Sequence, residues 1–233
     1  MKRFGKLPAY KTLYTESVEH GMIERMKYAV AVAFLFLAAF PALAANDAVI
    51  LPVPYTAQAP FGNWSVPWSD FCEEASVAMA QAYVAGRQLS AIDFAIEMLR
   101  LAIFELRNFG YDKDTGVADT LRMLRDYYGN TKARIVYNPT SETIRNAIRD
   151  GFPVIVPVAG QLLGNPHFKS PGPRYHMVVV KGFDNADFIV NEPGTRFGNG
   201  WRYGQSTLMN AMHDFVANGD ITTGQKAVII VEK

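Results

Sequence analysis

Along this chain the rhythm of apolar and polar positions changes three times. From Tyr28 to Ala45 nearly every residue is apolar, with Arg25 and Lys27 ahead of the run and Ala42-Leu43-Ala44 near its end. This layout fits a secretory signal peptide with a small-x-small cleavage site. The run is also close to the length that spans a bilayer, which fits an uncleaved signal anchor. Residues 22–44 are assigned to that segment. Residues 1–21, polar and without an apolar face, read as a non-structural extension ahead of start sites at Met22 or Met26. Either form of signal exports the remainder to the periplasm or the extracellular space.

After residue 46 the period becomes helical. Ala75, Met79, Ala82 and Tyr83 recur at helical intervals up to Gly86, behind Asp70 and Glu73 at capping-box spacing. Ser90 and Asp93 repeat that start signal for a long helix with Ile92, Ile96, Leu99, Ile103 and Leu106 on one side, a stripe assigned to core packing. Val117, Leu121, Leu124 and Tyr128 mark a third helix, and Ile144, Ala147 and Ile148 a fourth. The pattern then changes to apolar runs and alternation. Pro153 to Val158 predicts a buried strand, His176–Phe183 and Phe188–Asn191 a β-hairpin, and Ala227–Val231 a last strand after a short helix around Leu208–Phe215. Helices followed by strands predict an α+β fold, a helical N-terminal part packed on a C-terminal antiparallel sheet, as one domain over residues 46–233.

Charge and cysteine content narrow the function. Of the whole chain's 23 basic and 22 acidic residues, those after Ala44 retain 17 and 19, a net charge of −2 over 189 residues. Nothing there suggests nucleic acid as a partner, and a membrane enters only through an uncleaved anchor. One cysteine cannot close an internal disulfide. One Cys and four His, none at metal-ligand spacing, argue against a metal, and no cofactor is implied.

That single cysteine, Cys72, lies at the predicted start of the first helix. There, unpaired N–H groups and the positive end of the helix dipole favour a thiolate, although Glu73 and Glu74 oppose it unless they face solvent or helix N–H groups. A cysteine nucleophile needs a base and a group that orients it. His176 opens one hairpin strand and Asn191 closes the next. If Asp184-Asn185 is a two-residue turn, Asn191 lies across from Val178, diagonal to His176 on the same face at about 7–8 Å between Cβ atoms. A turn one residue longer puts the two on opposite faces. Gln58, the one glutamine between the signal region and Cys72, is the candidate oxyanion donor alongside the Cys72 N–H. Trp64, Trp68, Tyr175 and Trp201 are candidates to line a substrate cleft, and serve equally well as core. His167, in a Gly/Pro/Asn loop, and His213, on a helix facing Met209 and Val216, are weaker candidates for the base.

The order Gln, Cys, His, Asn resembles the papain-like fold. The local sequences are similar to its bacterial branch of bacteriocin-processing peptidases, cysteine peptidase family thirty-nine, and most of all to exported members without a transporter. The residues that carry this are Leu51-Pro-Val-Pro-Tyr-Thr-Ala-Gln58, Asp70-Phe-Cys-Glu-Glu-Ala-Ser-Val-Ala-Met79, Gly151-Phe-Pro-Val-Ile-Val156, Tyr175-His-Met-Val-Val-Val-Lys-Gly-Phe-Asp184 and Ile189-Val-Asn-Glu-Pro-Gly194. The resemblance implies Cys72 as nucleophile, His176 as base, Asn191 as orienter and Gln58 as oxyanion donor. It further implies hydrolysis of a peptide or isopeptide bond in a peptide or protein substrate, a cell-wall peptide included. Two other readings stay open on the same fold: a transamidase using the same residues, and a catalytically silent module that binds a peptide or cell-wall fragment. A cell-wall amidase is disfavoured, because Phe71-Cys72-Glu73-Glu74 does not match the nucleophile segment of such domains.

Overall fold

The computed structural model describes residues 47–111 and 113–233. The extension 1–21, the apolar segment 28–45 and its cleavage signature lie outside the described residues. Among those described, no helix is long and apolar enough to cross a membrane.

Thirteen residues, Cys72–Val84, form the first helix, α1, and ten of them are buried, including Ala75, Ser76, Val77, Ala78, Met79 and Ala80. The small side chains let this helix sit inside the molecule, where it packs on the neighbouring helix α2 (Ala91–Asn108) and on the sheet. The capping box expected for α2 forms: Ser90 Oγ accepts from the Asp93 N–H at 3.2 Å, and the Ser90 N–H donates to Asp93 Oδ2 at 2.9 Å. The two remaining predicted helices are α3 (Val117–Arg122), continued by a π turn over Met123–Tyr127, and α4 (Ser141–Arg149). A short α5 (Gln205–Ala211) follows later.

The sheet is antiparallel throughout. Its strands are β1 (Val49–Ile50), β2 (Arg134–Tyr137), β3 (Val154–Val158), β4 (His176–Phe183), β5 (Asp187–Asn191), β6 (Asn199–Gly204) and β7 (Ala227–Ile230). The order is β2-β7-β3-β4-β5-β6, with β1 on β4 beyond the end of β3. Every residue of β3, β4 and β7 is buried. Continuous apolar runs such as Val154-Ile-Val and Val178-Val-Val180 are what a strand covered on both faces requires, and α1 and α4 both pack on β4. Gly182 is where β1 approaches β4: a Cβ there would come within 2.6 Å of the Val49 carbonyl oxygen. Asn46–Lys233 form one compact unit with its own hydrophobic core, a helical first half resting on the antiparallel sheet as the α+β reading expects.

The long-helix stripe corrects one expectation. Ile92, Ile96, Leu99, Ile103 and Leu106 are exposed, and α2 instead buries Phe94, Ala95, Met98, Leu101 and Ala102. The helix carries apolar residues on two faces, and only one of them meets the core.

Candidate active site

The start of α1 is fixed by aromatic packing rather than by a polar cap. Trp68–Asp70 make a single 3₁₀ turn, Phe71 takes the N-cap position without a side-chain cap, and the rings of Trp68 and Phe71 meet edge to face at 5.4 Å over Met98 and Ala102. The expected Asp70/Glu73 capping box is therefore absent, because Glu73 turns inward. Cys72 becomes the first helical residue, so its N–H belongs to the turn that has no partner within the helix. One turn on, Ser76 Oγ donates to the Met177 carbonyl at 3.3 Å, which ties the start of the helix to the start of β4.

The thiol is buried. Cys72 is 6% exposed, and its Sγ donates to Glu73 Oε2 at 2.9 Å, while Glu73 Oε1 accepts from the Thr115 N–H at 3.2 Å. Burial pushes the Cys72 thiol well above its ordinary value, and the Glu73 carboxyl beside it pushes in the same direction. Burial also raises Glu73 to about 8, with Asp114 and Glu105 adding to the rise and the thiol hydrogen bond opposing it. Glu74 is raised well above the carboxylate range by burial, then by Glu105 and Glu73. A helix start favours a thiolate by only roughly 0.3–1 kcal/mol. Burial first, and then Glu73, outweigh it, so the Cys72 thiol keeps its proton at neutral pH.

His176 is arranged differently. It begins β4 opposite Val158 and is buried, and its Nε2 meets Glu192 Oε1 in a short hydrogen bond. Glu192 is wholly buried and held from every side: its Oε1 also accepts from the Gly194 N–H at 2.8 Å, and its Oε2 accepts from the Tyr203 hydroxyl at 2.9 Å. Tyr203 in turn accepts from Asn165 Nδ2 at 2.8 Å. Glu192 thus takes Nε2 and leaves Nδ1 as the other nitrogen of the ring. Gly194 has no room for a side chain, since a Cβ would sit 3.0 Å from His176 Cε1 and 2.9 Å from Phe168 Cε1.

Asn191 does not reach His176. It pairs with Val179: the hairpin closes at Phe183–Phe188 over a connection of four residues rather than two, which moves the register by two positions, and Lys181 then bulges out between the pairs Val180–Val190 and Gly182–Ile189, which moves it back by one. One extra residue reverses which side chains share a face. Glu192 thereby comes to His176's side, and Asn191 donates through Nδ2 to the Val53 and Pro54 carbonyls at 3.2 and 3.0 Å. Sequence reasoning missed Glu192 although it follows Asn191 directly. The all-apolar run of β4 carries no alternation from which a bulge could be read.

Gln58 shares a cleft of about 900 Å³ with Cys72 and His176. Its backbone N–H donates to the Pro193 carbonyl at 2.9 Å, and its Nε2 donates to the Trp68 and Ser69 carbonyls at 3.0 and 2.7 Å, so both amide protons are already committed. Trp64 and Tyr175 line the cleft. Trp68 and Trp201 are packed elsewhere, the first on Phe71 and the second edge-on to His167 at 5.1 Å. His167 also lines the cleft, against Phe197 at 4.6 Å, whereas His213 donates from Nδ1 to the Gly224 carbonyl at 2.9 Å, a structural role. Among the described residues no cluster of His, Cys, Asp or Glu is grouped to hold a metal ion.

A buried cysteine at a helix start and a glutamate-held histidine at a strand start, facing one cleft, invite comparison with cysteine peptidases. Residues 50–218 match the profile of the Peptidase_C39 like family. The chain belongs to that family. Among solved structures it is similar to a C39-like peptidase from Bacillus anthracis, with a TM-score of 0.53 and 16% identity, over 80% of this chain and 98% of that one. A fragment of prointerpain A from Prevotella intermedia aligns with a TM-score of 0.40 and 18% identity, over 72% of this chain and 48% of that one. No curated protein matches the sequence. The fold is thus the papain-like one of the Peptidase_C39 like family, with the helix carrying Cys72 packed on the antiparallel sheet.

Proposed function

We propose that this Peptidase_C39 like domain is an exported hydrolase that cleaves a peptide or isopeptide bond through a Cys72 acyl-enzyme. The observation that carries the reading is His176 held at Nε2 by a fully partnered Glu192, in the same cleft as a cysteine at a helix start. In this mechanism His176 Nδ1 takes the proton from the Cys72 thiol as sulfur attacks the carbonyl carbon, and the Glu192 carboxylate balances the imidazolium that forms. The oxyanion is met by the Cys72 N–H and by Gln58 Nε2, which gives up one of its two carbonyl partners to do so. His176 then returns the proton to the leaving amine, and water attacks the thioester with the same base, releasing the acid and restoring the thiol. Export rests on the apolar segment 28–45. The substrate is a peptide or protein, with cell-wall peptides in reach of an exported enzyme.

The test is covalent labelling by an epoxysuccinyl peptide, whose ring opening needs both thiolate attack and a proton. Intact mass after incubation should show one adduct on Cys72 in the native domain, reduced at least about a hundredfold in His176→Ala, in line with the usual contribution of a general base. Labelling that appears only after denaturation sinks the enzymatic reading. One observation favours a second reading, a catalytically silent peptide-binding module: the Cys72 proton is directed at Glu73, and burial holds the thiol protonated. Retained affinity for peptides in Cys72→Ala, with no native labelling of the parent, would select it.

A further inference from the structure

The apolar face that α2 turns away from the core is not a scatter of exposed residues. Ile92, Ile96, Leu99, Ile103 and Leu106, each 40–61% exposed, follow one another at intervals of 4, 3, 4 and 3. That is the seam of a helix that packs along a second helix, with a mean period of 3.5. The core-facing residues of the same helix, Phe94, Met98 and Leu101, form a separate face. Five adjacent aliphatic side chains make a patch on the order of a few hundred Å², the size of surface patch that is often functional.

We propose that a second copy of this chain covers the seam, with the two α2 helices antiparallel about a two-fold axis between Leu99 and Ile103. Charge decides the direction. The exposed residues flanking the seam on one side are Asp93 near the start of the helix and Arg100 and Arg107 farther on. In a parallel pair the two Asp93 would share one end and the two Arg107 the other. In an antiparallel pair Ile96 packs on Leu106 of the second copy and Leu99 on its Ile103, and the flanking positions then bring Asp93 to Arg107 at both ends. Arg100 meets its own equivalent at the axis, where each can keep its Glu97 partner, 3.6 Å away within the same helix. The pairing is isologous and closes, leaving no free copy of the seam. Ala95 and Ala102 on the other flank are already buried and add no charge. The seam is smaller than the roughly 800 Å² per partner of a standard interface, so the dimer forms in a concentration-dependent way.

Sedimentation velocity on residues 46–233 tests this directly. The parent should pass from monomer towards twice that mass as concentration rises, and Ile96→Glu/Ile103→Glu should remain monomeric at every concentration with an unchanged circular dichroism spectrum. In a Cys72→Ala background, copper–phenanthroline oxidation should cross-link a mixture of Ile96→Cys and Leu106→Cys chains to each other and leave Ile96→Cys alone unlinked. A monomeric parent, a dimer that survives the double glutamate variant, or self-linking of Ile96→Cys overturns the proposal. So does a monomer that floats with phosphatidylglycerol vesicles through the same residues, since the seam would then be a membrane-facing surface.

Discussion

Two buried glutamates flank the two halves of the Cys–His pair, and their surroundings are opposite. Glu192 is met by donors only: His176 Nε2, the Gly194 N–H and the Tyr203 hydroxyl. Glu73 is met by the Cys72 thiol and the Thr115 N–H, but Asp114, Glu105 and Glu74 crowd the same region and burial raises its carboxyl to about 8. Residue type and depth are the same, and the neighbours set the consequence. On the histidine side a carboxyl surrounded by donors holds the imidazole ring. On the cysteine side a carboxyl takes the thiol hydrogen bond. Under the proposed function the first is the support of a base and the second a restraint on the nucleophile.

The comparison breaks first at Glu192. Glu192→Ala leaves His176 and the Tyr203 hydroxyl without their acceptor inside the protein, and removing one member of a buried pair costs about 3–5 kcal/mol. Urea denaturation should show a loss of that size, with labelling of Cys72 falling at least as far as in His176→Ala. Glu192→Gln keeps the shape and an acceptor, so it should lose much less stability while still slowing the labelling. Equal stability loss in both variants would mean that the carboxylate charge itself, rather than the shape and the acceptor that Gln keeps, is what holds the site together.

Glu73→Gln tests the other side. A carboxyl raised in the folded state stabilises the fold fully below its unfolded value near 4.5 and loses that contribution as pH rises through about 8. The parent should therefore become less stable from about pH 4.5 to 8, by about 1.4 kcal/mol per unit of displacement from this group, with Glu74 adding to the trend. Glu73→Gln should flatten that slope in urea midpoints measured across the range. It should also lower the Cys72 pKa and raise labelling at neutral pH about tenfold for each unit. A slope unchanged by the substitution would move the titration to Glu74.

Crowding at the base gives a smaller effect. Gly194→Ala puts a methyl group 3.0 Å from His176 Cε1 and from Glu192 Oε1, and such overpacking typically costs about 1–3 kcal/mol. The ring must turn, so labelling should fall further than global stability does. A variant with parent-like labelling would show that the base tolerates a shift of a few tenths of an ångström.

How far the chain discloses this arrangement depends on the element. The α+β order, the strand at Val154–Val158, the hairpin and the capped α2 were legible, because periodicity and capping chemistry are local. Cys72 and His176 were legible too, as a lone thiol at a helix start and a histidine at a strand start. Glu192 was not, because its place at His176 depends on the bulge at Lys181, and a strand buried at every position gives no alternation from which to count faces. Glu73 was misplaced for a related reason: capping-box spacing is necessary for a cap, but the Trp68–Phe71 packing shifted the helix start and turned the carboxyl inward. The α2 seam is legible as a stripe but its side is not, since a helix with two apolar faces has a period that fits either.

Asn191 sharpens the contrast with its neighbour at the lowest cost. If the orienting role belongs to Glu192 alone, Asn191→Ala should lose the two bonds to the Val53 and Pro54 carbonyls, about 1–3 kcal/mol in urea denaturation, without a matching loss of native labelling. Those carbonyls belong to the segment that runs on to Gln58, whose own N–H is fixed to Pro193 beside Glu192. Loosening that segment should thus touch the oxyanion side before it touches the base: labelling by the epoxide, which forms no oxyanion at a carbonyl, should hold, while hydrolysis of a peptide should slow. A parallel fall in both would place Asn191 back in the base's support, and the face reversal at Lys181 would no longer account for the division of labour.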